Sequence, residues 1–248
     1  MIATITHQDK NYKIDLSKPL DISLPLINAP KNVTAWYVKP PTFTPVMENG
    51  FVGDVNLGGA VNFRNIFFNP HGNGTHTECV GHISKENYTI NQCLTTFFFL
   101  ADVISVLPEK IENDSVITLK QVKQLWQPTD TEAIIIRTLP NDEAKKTMQY
   151  SNTNPTYIEE DAVRFLTKNG INHLLIDSPS IDREEDGGEL KAHHAFWEYP
   201  QNTQAHRTIS ELIFVANSIL DGKYLLNIQI ASFENDASPS KPILYQLL

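Results

Sequence analysis

The hydrophobic positions fall into short unbroken runs, separated by polar stretches rich in proline, glycine and asparagine. Ala133-Ile134-Ile135-Ile136-Arg137-Thr138 is brief and β-branched, as a strand covered on both faces should be. His173-Leu174-Leu175-Ile176-Asp177 and Tyr224-Leu225-Leu226-Asn227-Ile228-Gln229-Ile230 predict two further strands. Thr95–Val106 also predicts a buried strand, although apolar runs this short are equally compatible with a buried helix. Tyr12–Leu16 predicts a first strand, ended by Ser17-Lys18-Pro19. After Asn154-Pro155 the spacing changes to helical, with Ala162, Val163, Phe165 and Leu166 on one side. Glu159, Glu160 and Asp161 suit the positive end of that helix, and Lys168-Asn169-Gly170 supplies its stop. Strand, helix, strand in that order predicts a βαβ unit and a partly parallel sheet. Residues 28–60 predict long loops with short strands. The expectation is a single α/β domain over residues 1–248.

Composition narrows the picture without adding chemistry. A chain of 248 residues, 41% hydrophobic and 20% charged, has the make-up of an ordinary soluble protein with a sizeable core. No apolar run approaches the roughly 20 residues a bilayer requires, so no membrane association is expected. Met1–Gln8 lacks the basic start and apolar stretch of a signal peptide. Two cysteines, Cys79 and Cys93, make no disulfide framework and fit a reducing compartment, so a cytoplasmic location is expected. A net charge of −9 argues against a nucleic-acid surface.

Candidate chemistry gathers in residues 70–82. His71, His76 and His82 lie within twelve residues, with Glu78 among them. If Thr75–Glu78 is extended, His76 and Glu78 share a face, and a turn at Gly81 brings His82 back toward them. Imidazole with carboxylate suits Zn²⁺, Mn²⁺ or Fe²⁺ better than Ca²⁺ or Mg²⁺. Spacing alone leaves two readings open, a metal loop and a solvated polar loop. Cys79 reads as a small core residue in preference to a thiolate. His7 and His173 stand alone, as surface or core residues, and Asp182-Arg183-Glu184-Glu185-Asp186 reads as a solvated loop with Asp182 structural. No nucleophile elbow and no phosphate-binding loop is present.

Several segments, in order, resemble one family. Gly74-Thr75-His76-Thr77-Glu78 with His82 is similar to the G-T-H-x-D-x-P-x-H signature of the cyclase family, which includes bacterial kynurenine formamidases (arylformamidases) and isatin hydrolases. Asp15-Leu16-Ser17, Ile135-Ile136-Arg137-Thr138, Asp177-Ser178-Pro179-Ser180-Ile181-Asp182 and Glu211-Leu212 resemble its other motifs. The resemblance implies a swivelling β/β/α, cyclase-like domain with a mixed sheet, usually a homodimer, holding one or two divalent ions, Zn or Mn. It implies His76, Glu78, His82 and Glu211 as ligands. His193 is the choice for a later histidine ligand, with His194 and then His206 as alternatives.

Three departures mark a divergent subgroup. Gly72 stands where the family has a histidine, and His71 lies one residue earlier, able to reach the metal through a one-residue bulge or else lost as a ligand. Glu78 replaces aspartate, and Val80 replaces proline. The activity implied is hydrolysis of an amide-type C–N bond by metal-activated water, with an arylformamide such as N-formylkynurenine as the leading substrate. The alternatives are ring opening of a cyclic amide or lactone, and a non-catalytic metal-binding or small-molecule-binding protein. His82 and Glu211 are the candidate catalytic groups. Asn73 and Thr75 are candidates for orienting ligands or an oxyanion, with turn formation the simpler role for Asn73. Trp36, Phe43, Phe68, Phe196 and Trp197 are candidates for an aromatic wall around the substrate.

Overall fold

The computed structural model describes residues 1–248. The chain opens with a hairpin of β1 (Ile2–His7) and β2 (Lys10–Asp15), then passes through β3 (Leu20–Asp21) into an arm of short antiparallel pieces. In the arm β4 (Thr42–Pro45) pairs with β7 (Arg64–Phe67), enclosing the pair β5 (Met47–Glu48) and β6 (Phe51–Val52). Next come β8 (His76–Glu78), α1 (Ile90–Cys93), the long β9 (Phe98–Val106), β10 (Glu109–Ile111) and β11 (Asp114–Ile117). α2 (Leu119–Leu125) starts at a reciprocal cap in which Thr118 and Gln121 each satisfy the other's backbone N–H. β12 (Ala133–Thr138), β13 (Tyr157–Ile158), α3 (Glu160–Lys168), β14 (His173–Ile176) and α4 (Lys191–Trp197) follow. The chain ends through β15 (Thr208–Glu211), β16 (Gly222–Asn227), β17 (Ala237–Pro239) and β18 (Ile243–Gln246).

Nine strands form one mixed sheet in the order β17-β8-β15-β14-β12-β9-β16-β18-β3. Its centre, β9, β12, β14 and β15, is parallel, and β12-α3-β14 is the βαβ unit the spacing predicted. The flanking strands β8, β17, β16, β18 and β3 add antiparallel pairs on both sides. β12 shows why the centre is so apolar. All six of its residues are buried, with Ile134 and Ile136 facing a core built with Trp126, Leu166 and Phe196. Ala133 and Ile135 face a second core with Ile22, Phe99 and Leu226. Both sheet faces are therefore covered, and burial of each such Ile or Leu contributes about 1.5–3 kcal/mol.

Two strands are shorter than their hydrophobic runs. The 95–106 run enters the sheet only at Phe98, and the 224–230 run leaves it at Asn227, which pairs with Phe98. The register of the antiparallel pair sets both ends together. No helix is long and apolar enough to cross a membrane.

Candidate metal centre

The site forms at one side of the sheet, where β8 lies between β15 and β17. Alternation along β8 puts His76 and Glu78 on one face and Thr77 on the other, where its hydroxyl meets that of Ser210 at 2.7 Å. Register places Glu211 of β15 directly across from His76. A 3-10 turn at Val80–His82 then carries His82 back over the same face. Gly81 serves that turn by occupying little space. A Cβ there would lie 2.1 Å from the Tyr88 carbonyl oxygen.

His71 arrives from a turn, and not through a strand bulge. The Asn69 and Asn73 side chains build that turn, accepting the Gly72 and Asn69 N–H groups at 3.0 and 2.6 Å. Asn73 is thus a turn former, as expected. The histidine comes from position 71 for a steric reason, because a Cβ at Gly72 would meet the Val38 side chain at 2.5 Å and the Ala35 carbonyl oxygen at 2.9 Å. His193 enters from α4, whose first turn is anchored by Asp182. That carboxylate accepts the Ala192 and His193 backbone N–H groups at 2.8 and 3.0 Å.

Three histidines share one arrangement. His193 Nδ1 donates to Asp182 Oδ2 at 2.6 Å, which aims Nε2 at Glu78 Oε1, 3.2 Å away. His71 Nε2 donates to Asp236 Oδ2 at 2.7 Å, which aims Nδ1 at Glu78 Oε2, 3.1 Å away. His76 Nδ1 donates to the Gly74 carbonyl at 3.0 Å, leaving Nε2 at 3.4 Å from Glu211 Oε2. Glu211 is itself held by the Ile181 N–H on its other oxygen, at 3.0 Å. In each case an imidazole lone pair confronts a buried carboxylate oxygen. Only a positive charge between them makes that tolerable, either a proton on the ring or a metal ion.

Two buried atoms mark where that charge belongs. His76 Nε2 and Glu78 Oε2 make no hydrogen bond, although buried polar atoms normally find a partner. His71, His76 and Glu78 bring one ligand atom each within 4.8 Å of the others, as do Glu78, His82 and His193, and also His71, His82 and Asp236. Ligands at about 2.1 Å from a tetrahedral ion lie roughly 3.4 Å apart, close to the contacts seen here. The donor set therefore fits a divalent transition ion. Without an ion, protons on His71 and His193 can take its place. Burial opposes charge on His71 and His193, but the carboxylates of Asp236 and Glu78 around the first, and Asp182, Glu78 and Glu211 around the second, hold both imidazoles up at about 10.

The residues open on a cavity of about 400 Å³, lined among others by Trp36, His82, Arg183, Leu190 and Glu211. His82 is the most exposed of the four histidines, at 32%. Of the proposed aromatic wall only Trp36 lines this cavity. Phe196 and Trp197 are fully buried in the helix-side core, Phe43 lies in the arm, and Phe68 stacks on Phe233. Thr75 is likewise spoken for. Its buried hydroxyl donates to the Leu212 carbonyl and accepts the Leu24 N–H, and so holds backbone, with no hydrogen left for an oxyanion. His194 bonds the Tyr199 carbonyl and His206 bonds Asn172, leaving His193 alone of the three facing Glu78. Cys79 is a core residue whose thiol is pushed up by its neighbour Cys93 and by burial, away from thiolate chemistry.

Sequence reasoning missed Asp236 altogether and gave Asp182 no part in holding His193. Trp36 is marked only by being aromatic, and Asp236 by nothing local, since the sheet brings it to Glu78 from the far end of the chain.

A family model for cyclases matches residues 14–183. The chain belongs to the cyclase family. The matched span holds the β8 signature and ends before His193, Glu211 and Asp236. A search of curated proteins finds no match. Among solved structures, this cyclase-family chain is similar to a potential metal-dependent hydrolase with cyclase activity, at 17% identity and a TM-score of 0.65, over 92% of this chain and 97% of that one. An isatin hydrolase bound to the product analogue thioisatinate aligns at 12% identity with a TM-score of 0.67, covering 93% of each chain. Isatin hydrolase A from Ralstonia solanacearum aligns at 12% identity and 0.67, over 92% and 91% of the two chains. At these identities the likeness shows the fold.

Proposed function

We propose that this chain is a metal-dependent hydrolase that cleaves an amide-type C–N bond, with an arylformamide such as N-formylkynurenine as the leading substrate. The observation that carries the reading is the set of three tethered histidines aimed at two buried glutamates, beside an open cavity. His71, His76 and Glu78 would hold one divalent ion, Zn or Mn, while Glu78 shared with His82 and His193 would hold a second, and Glu211 closes the ring across from His76. When bound, such an ion supplies Lewis acidity toward a substrate carbonyl and brings the pKa of water from about 15.7 to about 7.

The chain's own residues do the rest. Asp182 and the Gly74 carbonyl fix which nitrogen of the His193 and His76 rings is free, so these two are oriented before anything binds. In a centre holding one ion, His82, part exposed beside the cavity and not itself a ligand, would pass a proton to a departing nitrogen. Glu211 is locked by the Ile181 N–H and keeps its second oxygen turned toward His76. Trp36 gives the cavity one aromatic surface for a planar substrate.

The isatin hydrolases among the structural relatives support a second reading, ring opening of a cyclic amide at the same site. Purified protein would be analysed for metal, then assayed on N-formylkynurenine and on isatin with and without chelator. The expected result is bound Zn or Mn and chelator-sensitive hydrolysis of one of them, with His76→Ala losing both metal and turnover. Folded protein that takes up no divalent ion would sink the proposal, and full metal with neither substrate turned over would favour a binding protein. A homodimer and a cytoplasmic location belong to the same proposal. The exposed apolar side chains of the arm support the first and the two unpaired cysteines the second.

A further inference from the structure

Asp236 lies outside the signature, outside the span matched by the family model, and more than 150 residues from His71. The sheet nevertheless ties it to the site. Ala237 pairs with Glu78 in the β17–β8 register, and the Asp236 carbonyl accepts the Cys79 N–H at 3.0 Å. Its carboxylate is thereby set beside two histidines, 2.7 Å from His71 Nε2 and 3.4 Å from His82 Nδ1, and only the first contact is a hydrogen bond.

An ionised carboxylate can only accept, so this contact puts the ring proton of neutral His71 on Nε2 and the lone pair on Nδ1. Nδ1 is the nitrogen that faces the unpartnered Glu78 Oε2. His71 needs such help more than the others. His76 sits on a strand and is fixed by the Gly74 carbonyl two residues away, and His193 sits on a helix whose start Asp182 anchors. His71 comes from a turn, one position away from the signature histidine, with Gly72 unable to carry a side chain.

We propose that Asp236 is a positioning residue that fixes the tautomer and ring direction of His71, and so makes the displaced histidine a competent ligand. The inference rests on the metal centre proposed above. A ligand role for Asp236 itself is the competing account, because His71, His82 and Asp236 also converge.

A double-mutant cycle on Zn²⁺ affinity separates them, read by competition with a chromogenic chelator on the full chain. Asp236→Ala should weaken Zn²⁺ binding about 10–100-fold in the wild-type background. In a His71→Ala background it should change affinity by less than about two-fold, and in a His82→Ala background the full loss should persist. Asp236→Asn, nearly isosteric and still an acceptor, should give an intermediate loss and keeps the test open if the alanine variant misfolds. Wild-type affinity in Asp236→Ala, or an equal loss with and without His71, would overturn the proposal. A wild-type protein that binds no Zn²⁺ at all would instead overturn the metal centre on which it rests.

Discussion

His173 shows what the interior does to a titratable side chain that has no part in the site. It is the first residue of β14, buried, with Nδ1 at 2.8 Å from the Thr208 hydroxyl and its ring 3.8 Å from that of Phe99. Burial, with a smaller push from His206, lowers its pKa to about 3. The unfolded chain takes up this proton below about 6.5, while the native state refuses it until about 3. Its contribution to stability is therefore complete above pH 6.5 and is lost progressively as the pH falls toward 3. Melting temperatures of chelator-treated protein between pH 7 and 4 should fall less steeply in His173→Gln than in the wild type. Parallel curves would show that His173 titrates normally. Position 173 also marks a limit of the sequence. An isolated histidine before Leu-Leu-Ile reads as surface or core, and only the neighbouring strands decide. Asp182 and Asp236 were hidden for the same reason, since each acquires its role from a partner that the chain's own spacing does not reveal.

At the scale of elements, legibility follows locality. β12, α3 and β14 could be read from periodicity because the hydrophobic pattern that defines each also buries it. Most of the β8 signature could be read because its candidate ligands are held by strand alternation and one short turn. Glu211 and His193 came only through resemblance, for Glu211 meets His76 through sheet register and His193 meets Glu78 through helix docking, each across more than 100 residues. The shift of histidine from 72 to 71 was visible in sequence, but its cause was not. That cause makes a prediction. His71→Gly/Gly72→His restores the family spelling yet places a Cβ 2.9 Å from the Ala35 carbonyl oxygen, a backbone atom that cannot rotate aside. The double variant should lose metal and about 1–3 kcal/mol of stability by urea unfolding, in line with overpacking elsewhere. Retained metal at wild-type stability would mean that the turn is freer than its contacts imply.

The molecule as a whole leaves one feature unbalanced. Both faces of the large sheet are covered, yet the arm between β3 and β8 exposes a run of large apolar side chains. Met47, Leu57, Phe63, Ile66 and Phe67 are 54–71% exposed. Scattered apolar residues need no explanation, but several in one segment would suit an interaction surface. A second copy of the chain is the simplest occupant, because a two-fold axis lets one such surface cover its twin. The arm also leads directly into the turn that carries His71, so an interface there would stiffen the approach to the site. Sedimentation equilibrium should give twice the 28.0 kDa chain mass at micromolar concentration. Phe67→Asp, on a side chain 71% exposed, should give the monomer mass with an unchanged far-UV spectrum, since nothing in the core is disturbed. A wild-type protein that stays monomeric up to about 100 µM, where even weak dimers of Kd near 1 µM assemble, would leave the arm for a different partner.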